Sequence, residues 1–229
     1  MNHLQTENIT LQVISYSNVP FKAKIYADQL IIDWGNTIET CHPKNNCFNI
    51  EYIFPQEGLH DIVISGVNIT YVELSGINST NLSFDHCPHL EYLNCSGNEL
   101  TTLDTKACPA LEELFCNSNN LTELIISENK QLIQLNASYN NLSRLQIINC
   151  PNLHTLYCAH NQLTSLNLTE CPALNDINIS HNLFTPDGIN HLFNQLPIRS
   201  TQDYAMIHYP ENPDFETCDI TILETKNWH

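Results

Sequence analysis

A 21-residue unit recurs four times without insertion between Cys87 and Glu170, and this period constrains the fold more than any other feature of the chain. The units are Cys87–Ala107 (CPHLEYLNCSGNELTTLDTKA), Cys108–Glu128 (CPALEELFCNSNNLTELIISE), Asn129–Asn149 (NKQLIQLNASYNNLSRLQIIN) and Cys150–Glu170 (CPNLHTLYCAHNQLTSLNLTE). Leu90, Leu111, Leu132, Leu153 and Leu174 fall in one column, and Leu93, Leu114, Leu135, Leu156 and Ile177 in the next. Asn98, Asn119, Asn140, Asn161 and Asn182 form a third column, and Leu100, Leu121, Leu142, Leu163 and Phe184 a fourth. A degenerate copy precedes them at Gly66–His86, with Ile69, Val72, Leu74 and Leu82 in phase, and a last copy begins at Cys171 and loses the pattern after Phe184. One such unit cannot bury its apolar columns alone. Stacked units bury them against each other. The spacing therefore predicts a mainly β solenoid of five to six coils, with parallel strands about 4.8 Å apart and a stack roughly 25 Å long.

Side chains alternate along a strand, so Leu93 and Cys95 point inward within their unit. The asparagine column is expected to be structural, because the short amide can satisfy backbone groups in the turn that leaves the strand. The return path after Leu100 and Leu103 is expected to be a second short strand, since its Thr, Ile and Leu residues favour extended chain. The pattern L-x-x-L-x-C-x-x-N-x-L-x-x-L resembles the leucine-rich repeat family in its short bacterial, internalin-like form. That resemblance implies a rigid module for protein recognition or adhesion, displayed on the cell surface.

The ends do not repeat. Residues 1–65 read as short β runs, Leu11–Ile14, Phe21–Ile25, Leu30–Asp33, Phe48–Phe54 and Asp61–Ser65, divided by Pro, Gly and Asn. Within them Ile31–Asn36, then Tyr52, Gly58 and Ile62–Ile64, resemble the PKD-like or immunoglobulin-like module. Asn36 and Thr37 stand where that module has an acidic residue and a second glycine. The expectation is a β-sandwich-like cap over 1–65, a solenoid over 66–184 and a helix–strand cap over 185–229. In the last segment Thr185-Pro186-Asp187 is a helix start, Ile189, Leu192, Phe193 and Leu196 recur at helical spacing, and Tyr204–Tyr209 reads as a strand. Leu192, Phe193 and Trp228 are expected to cover the final rung.

Twenty-five acidic residues face eight basic ones, for a formal net charge of −17. That field repels phosphate backbones and anionic lipid, so neither nucleic acid nor a membrane is an expected partner. No stretch reaches the ~18 apolar residues of a membrane helix. Met1–Thr10 lacks the charged-then-apolar layout of a leader, which points to the cell interior, whereas the family resemblance points to the surface; the compartment stays open.

Ten cysteines invite a metal or disulfide reading. Cys87, Cys108, Cys150 and Cys171 share one column and Cys95, Cys116 and Cys158 another, and Asn129, Ala137, Leu74 and Ile179 replace them elsewhere. Positions that exchange with Ala, Leu and Ile are core fillers, and the close pairs of a zinc site are missing. Only Cys41 and Cys47 are placed to pair in an oxidising compartment. His160 and His181 fall on adjacent rungs in a column with no carboxylate, which leaves a metal site short of a ligand. No nucleotide, hydrolase or metalloprotease motif occurs, so no cofactor or metal is expected.

Outward strand positions are released from core duty and carry the functional signal. One outward column reads Tyr71, Tyr92, Glu113, Gln134, Thr155, Asp176, and the next Glu73, Asn94, Phe115, Asn136, Tyr157, Asn178. A third reads Ser75, Ser96, Asn117, Ser138, Ala159, Ser180. Tyr71, Tyr92 and Phe115 should cluster at the N-terminal half, rimmed by Glu73, Glu91, Glu112 and Glu113, in the manner of protein-binding surfaces. The candidate contact set is Tyr71, Glu73, Tyr92, Asn94, Glu113, Phe115, Asn117 and Tyr157. The expected partner is a protein with basic patches, ahead of a glycan, bound by a monomer without catalysis. Two alternatives fit parts of the pattern. One is a parallel β-helix enzyme acting on carbohydrate, with Glu112, Glu113 and Asp176 as its nearest carboxylates. The other is an intracellular scaffold or inhibitor.

Overall fold

The computed structural model describes residues 6–41 and 45–229. The first five residues of the Met1–Thr10 segment lie outside the described residues. Six strands build the N-terminal part: β1 (Glu7–Ser15), β2 (Phe21–Tyr26), β3 (Gln29–Asp33), β4 (Ile38–Cys41), β5 (Cys47–Tyr52) and β6 (Gly58–Val67). Their apolar residues alternate. Ile9, Leu11 and Val13 of β1 and Ile62 and Ile64 of β6 face inward together, so each strand buries one side. Trp34 is buried between the two layers, stacked on Tyr52 at 4.0 Å and edge-on to Phe21 at 5.2 Å.

The repeats follow as three-residue strands β7 (Tyr71–Glu73), β9 (Tyr92–Asn94), β10 (Glu113–Phe115), β12 (Gln134–Asn136), β14 (Thr155–Tyr157) and β15 (Asp176–Asn178). Each buries its central Val, Leu or Ile and half-exposes its two neighbours. They pair in parallel at the 21-residue register, Tyr71 opposite Tyr92, then Glu113, Gln134, Thr155 and Asp176. The mainly β solenoid is therefore the fold.

The asparagine column does what its chemistry predicts. Asn119 donates through Nδ2 to the carbonyls of Cys116 and Cys95, at 3.1 and 2.9 Å, while its Oδ1 accepts the Leu100 N–H at 3.0 Å. Asn98, Asn140, Asn161 and Asn182 repeat this bonding on their own rungs. The amide braces a turn whose preceding residue is left-handed every time, Gly97, Ser118, Tyr139, His160 and His181, and Gly76, ahead of Ile77 in the degenerate coil, shares the geometry; all six have φ between 52° and 65°. Four of these positions hold a non-glycine residue in a sparsely occupied region.

The two sheets continue across the junction near residue 65. β8 (Ser79–Asp85), the return path of the first degenerate coil, pairs antiparallel with β1, giving a sheet ordered β4-β3-β6-β1-β8. On the other side β2 pairs antiparallel with β7, so β2 and β5 extend the repeat sheet. The expected second strand of each unit forms at β11 (Glu123–Ile126) and β13 (Arg144–Ile147), which pair with each other. It does not form in the first and last full units, at 101–106 and 164–168, so only the two return paths between them pair as strands.

Helix α1 (Pro186–Gln195) starts as expected, with Thr185 Oγ1 accepting the Gly188 N–H at 3.2 Å and Ile189, Leu192 and Phe193 buried. The pattern does not end at Phe184. β16 (Met206–His208) pairs in parallel with β15, Ile177 opposite Ile207. Asn212, thirty residues after Asn182, donates to the Ile179 and Tyr209 carbonyls and accepts the Phe184 N–H. This is one more rung with α1 inserted into its return path, and Glu211 continues the left-handed column at φ 59°. Helix α2 (Thr221–Thr225) follows, and Trp228, buried, closes the end with Nε1 donating to the Pro197 carbonyl at 2.8 Å.

Candidate functional site

The repeat sheet runs β16-β15-β14-β12-β10-β9-β7-β2-β5 and shows one broad outer face. Its register brings Tyr71, Tyr92 and Phe115 together and adds a residue the repeat could not reveal. Tyr26 of β2 lies opposite Tyr71. The four rings form a ladder: Tyr26 to Tyr71 at 4.8 Å and 28°, Tyr71 to Tyr92 at 4.2 Å and 6°, Tyr92 to Phe115 at 5.6 Å and 44°. All four side chains are half-buried. Lys24, two residues before Tyr26 on the same face, holds its Nζ 5.1 Å from the Tyr26 ring centre and 5.6 Å from that of Tyr71. A cation over an aromatic ring is attracted by the ring's electron-rich face.

The polar neighbours are ordered too. Asn94 Nδ2 donates to Glu73 at 2.9 Å, and the other Glu73 oxygen accepts the Ser75 N–H at 3.0 Å. Burial raises Tyr92 well above the ordinary phenol range, with Tyr71 and the Glu73 charge adding to it. The ring is therefore a neutral hydroxyl at physiological pH. Lys24 is raised by its bond to Tyr26.

Not every candidate joins this cluster. Tyr157 lies two rungs beyond Phe115 and donates its hydroxyl to Asp176. Asn117 lies past the end of β10, beside Ser118. The third column is uneven: Ser138 and Ala159 are buried, at 7% and 4% exposed, whereas Ser96, Asn117 and Ser180 are half-buried and Ser75 is exposed. Three-residue strands end at the second column, so the third sits in the turn that leaves the strand.

Other chemistry is sparse. Asp176 is three rungs from Glu113, about 14 Å at strand spacing, beyond the ~5–9.5 Å of paired catalytic carboxylates. His160 and His181 are stacked at 3.9 Å, with Tyr139 on His160 at 4.2 Å. The histidine column does hold a carboxylate, because it continues to Glu211 through the 30-residue step. Even so, among the described residues no three His, Cys, Asp or Glu side chains group as a metal site. Cys41 and Cys47 are free thiols on β4 and β5. Among the described residues no helix is long and apolar enough to cross a membrane.

Comparison with known proteins bears on the fold. The model of leucine-rich repeats (2 copies) matches residues 88–129 and 130–170. No curated protein matches the chain. Among solved structures, an internalin (inlF) from Listeria monocytogenes is 21% identical, covering 70% of this chain and 46% of that one, with a TM-score of 0.51. The leucine-rich repeat domain of APL1B is 23% identical over 63% of this chain and 41% of that one, also at 0.51. The functional domain of InlJ from Listeria monocytogenes, whose description includes a cysteine ladder, is 28% identical over 69% of this chain and 38% of that one, at 0.47. The chain thus spans less than half the length of these structures. Residues 88–170 match leucine-rich repeats, and the fold they organise is a solenoid like that of the internalin.

Proposed function

We propose that the chain is a non-catalytic module that recognises another protein through the outer face of its repeat sheet, with Tyr26, Tyr71, Tyr92 and Phe115 as the anchor. The stacked ladder carries this reading. Aromatic anchors with a polar rim dominate protein interfaces. Rings already fixed by stacking lose little freedom on binding, which lowers the ordering cost of association. The same stacking disfavours a glycan reading, because Tyr71 and Tyr92 cover each other's faces and offer solvent mainly edges and hydroxyls. Glu73, Asn94, Glu113, Asn117 and Tyr157 complete the contact set. The −17 charge favours a partner with basic patches. Known leucine-rich repeat modules of the internalin type make adhesion at a cell surface the natural use. Residues 1–65, with Trp34 as their centre, serve as a PKD-like cap, residues 66–184 as the solenoid and residues 185–229 as the second cap. The protein acts as a monomer.

The test is capture of partners from native extract by the chain and by its Tyr92→Ala/Phe115→Ala variant. The double variant should fold, by circular dichroism, and lose the protein that the parent chain retains. Retention of the same protein by a folded double variant would move the binding surface elsewhere.

A further inference from the structure

The aromatic ladder has two unlike ends. At the β2 end the rings are already covered by a cation, since Lys24 Nζ lies over Tyr26 and Tyr71. At the other end Phe115 is tilted 44° from Tyr92, and Tyr92 is its one aromatic neighbour among the described residues. The residue opposite Phe115 on the next rung is Asn136, a short side chain whose Oδ1 is tied back to the Ser138 N–H at 3.1 Å. No ring closes this end of the stack.

Glu113 stands beside it. Glu113 and Phe115 are two residues apart on β10 and so share the outer face, about 6.6 Å apart along the strand. Among the described residues the Glu113 side chain has no hydrogen-bond or ion-pair partner, whereas Glu73, the corresponding carboxylate at the other end, is held by Asn94 and Ser75. Lys22, Lys106 and Arg144 are paired locally with Glu51, Asp104 and Glu123. Among the described residues no cation pairs with Glu113, so its carboxylate is open to one carried by another molecule.

We propose that the Phe115 end of the ladder seats an arginine side chain of the partner, its guanidinium lying on the Phe115 ring and its fork of N–H donors on the Glu113 carboxylate. This rests on the strand face being the binding surface, and it names the chemistry that face selects. Arginine fits where lysine does not. A planar guanidinium stacks on a ring and still presents two parallel donors to a carboxylate, whereas an ammonium is a point charge that holds its water more tightly. Lys24 shows the same attraction inside the molecule, met by the cation available on β2.

The test uses the full chain, with phenylalanine ring resonances followed during titration by acetyl-Gly-Arg-Gly-amide. The Phe115 signal is identified by its loss in Phe115→Leu. The arginine peptide should shift that signal, the citrulline peptide should leave it in place, and the lysine peptide should bind at least threefold more weakly. Glu113→Gln should weaken the arginine peptide at least fivefold, while Glu123→Gln, on the return-path strand β11 outside the repeat sheet, should match the parent chain. Equal response to arginine and citrulline, a Phe115 signal that does not move, or indifference to Glu113→Gln would each overturn the seat. If the Tyr92→Ala/Phe115→Ala variant loses its protein partner while the arginine peptide leaves Phe115 unmoved, the binding face stands and the arginine seat falls.

Discussion

His89 Nδ1 lies 2.7 Å from Oε1 of Glu7, whose other carboxylate oxygen accepts the Ile69 N–H, also at 2.7 Å. Glu7 is only 2% exposed, so the first strand is fastened to the first two coils through a buried carboxylate. Glu7→Ala strands the buried Ile69 amide and should lower stability by about 2–3 kcal/mol. His89→Ala removes a side chain that is 55% exposed, and water can replace it, so the loss should be about 1 kcal/mol or less. Urea unfolding of the two variants measures the order; an equal or larger loss for His89→Ala would contradict it.

The asparagine ladder predicts a difference between two substitutions of similar size. Asn119→Ala leaves the Leu100 N–H and the Cys95 and Cys116 carbonyls without a side-chain partner, and should cost about 2–4 kcal/mol. Asn119→Asp keeps the acceptor for Leu100 and turns a carboxylate oxygen toward two carbonyls. It should be worse than alanine at neutral pH. Thermal unfolding at neutral pH checks the ranking.

Asn129 is the one asparagine in a cysteine column. It is fully buried, accepts the Thr105 Oγ1 hydroxyl at 2.8 Å and donates to the Thr105 and Cys108 carbonyls. Thr105, itself buried, occupies the place of Ile126, Ile147 and Leu168 on later rungs. The two polar residues compensate each other. Thr105→Val should destabilise by about 1–2 kcal/mol, because the Asn129 acceptor loses its donor. Thr105→Ile with Asn129→Cys restores the apolar version of the rung and should recover most of that loss. Additive losses in the double variant would show that the pair is not coupled.

The rungs were legible in the sequence because the same core positions recur in unit after unit, and one exception such as Asn129 does not hide the column. The start of α1 was legible for a local reason, the Thr185 cap followed by Pro186. The rung at β16 was not, although Ile207, Tyr209 and Asn212 stand at the spacing of Ile177, Ile179 and Asn182; the helix insertion changes the period from 21 to 30. Tyr26 was invisible because β2 reaches Tyr71 by antiparallel pairing from outside the repeat, where no register can be read. β4 lacked a signal as well, since Ile38, Glu39 and Thr40 are all exposed and show no alternation. Of the candidate set, Tyr71, Tyr92 and Phe115 meet as expected, whereas Tyr157 is drawn to Asp176.

The cysteines should separate by reactivity. Cys41 and Cys47 are half-buried, and the other eight are buried. Burial pushes the Cys116 and Cys158 thiols up to about 12, and Cys95 well above its ordinary value. The thiolate is the reactive form. Treatment of the native chain with a thiol reagent at neutral pH should modify Cys41 and Cys47 and spare the column cysteines until denaturant is added. Rapid native labelling of Cys116 or Cys158, read by peptide mass mapping, would mean that the coils open far more readily than their packing implies.

Tyr157 gives a prediction at the alkaline end. Its hydroxyl donates to the Asp176 carboxylate, and that bond, with partial burial and the Asp176 charge, pushes the phenol up to about 12. An unfolded tyrosine titrates near 10. The neutral phenol is the form the fold favours, so its contribution to stability is fully present below about pH 10 and disappears as pH rises through about 12. Asp176→Asn removes the charged acceptor, so Tyr157 should ionise earlier, while Tyr92, held up chiefly by its own burial, should still ionise late. Phenolate absorbance followed against pH makes the comparison, and Tyr157→Phe identifies the transition that belongs to this residue. A titration curve for Asp176→Asn that superimposes on the parent curve would mean that the carboxylate does not hold the phenol proton.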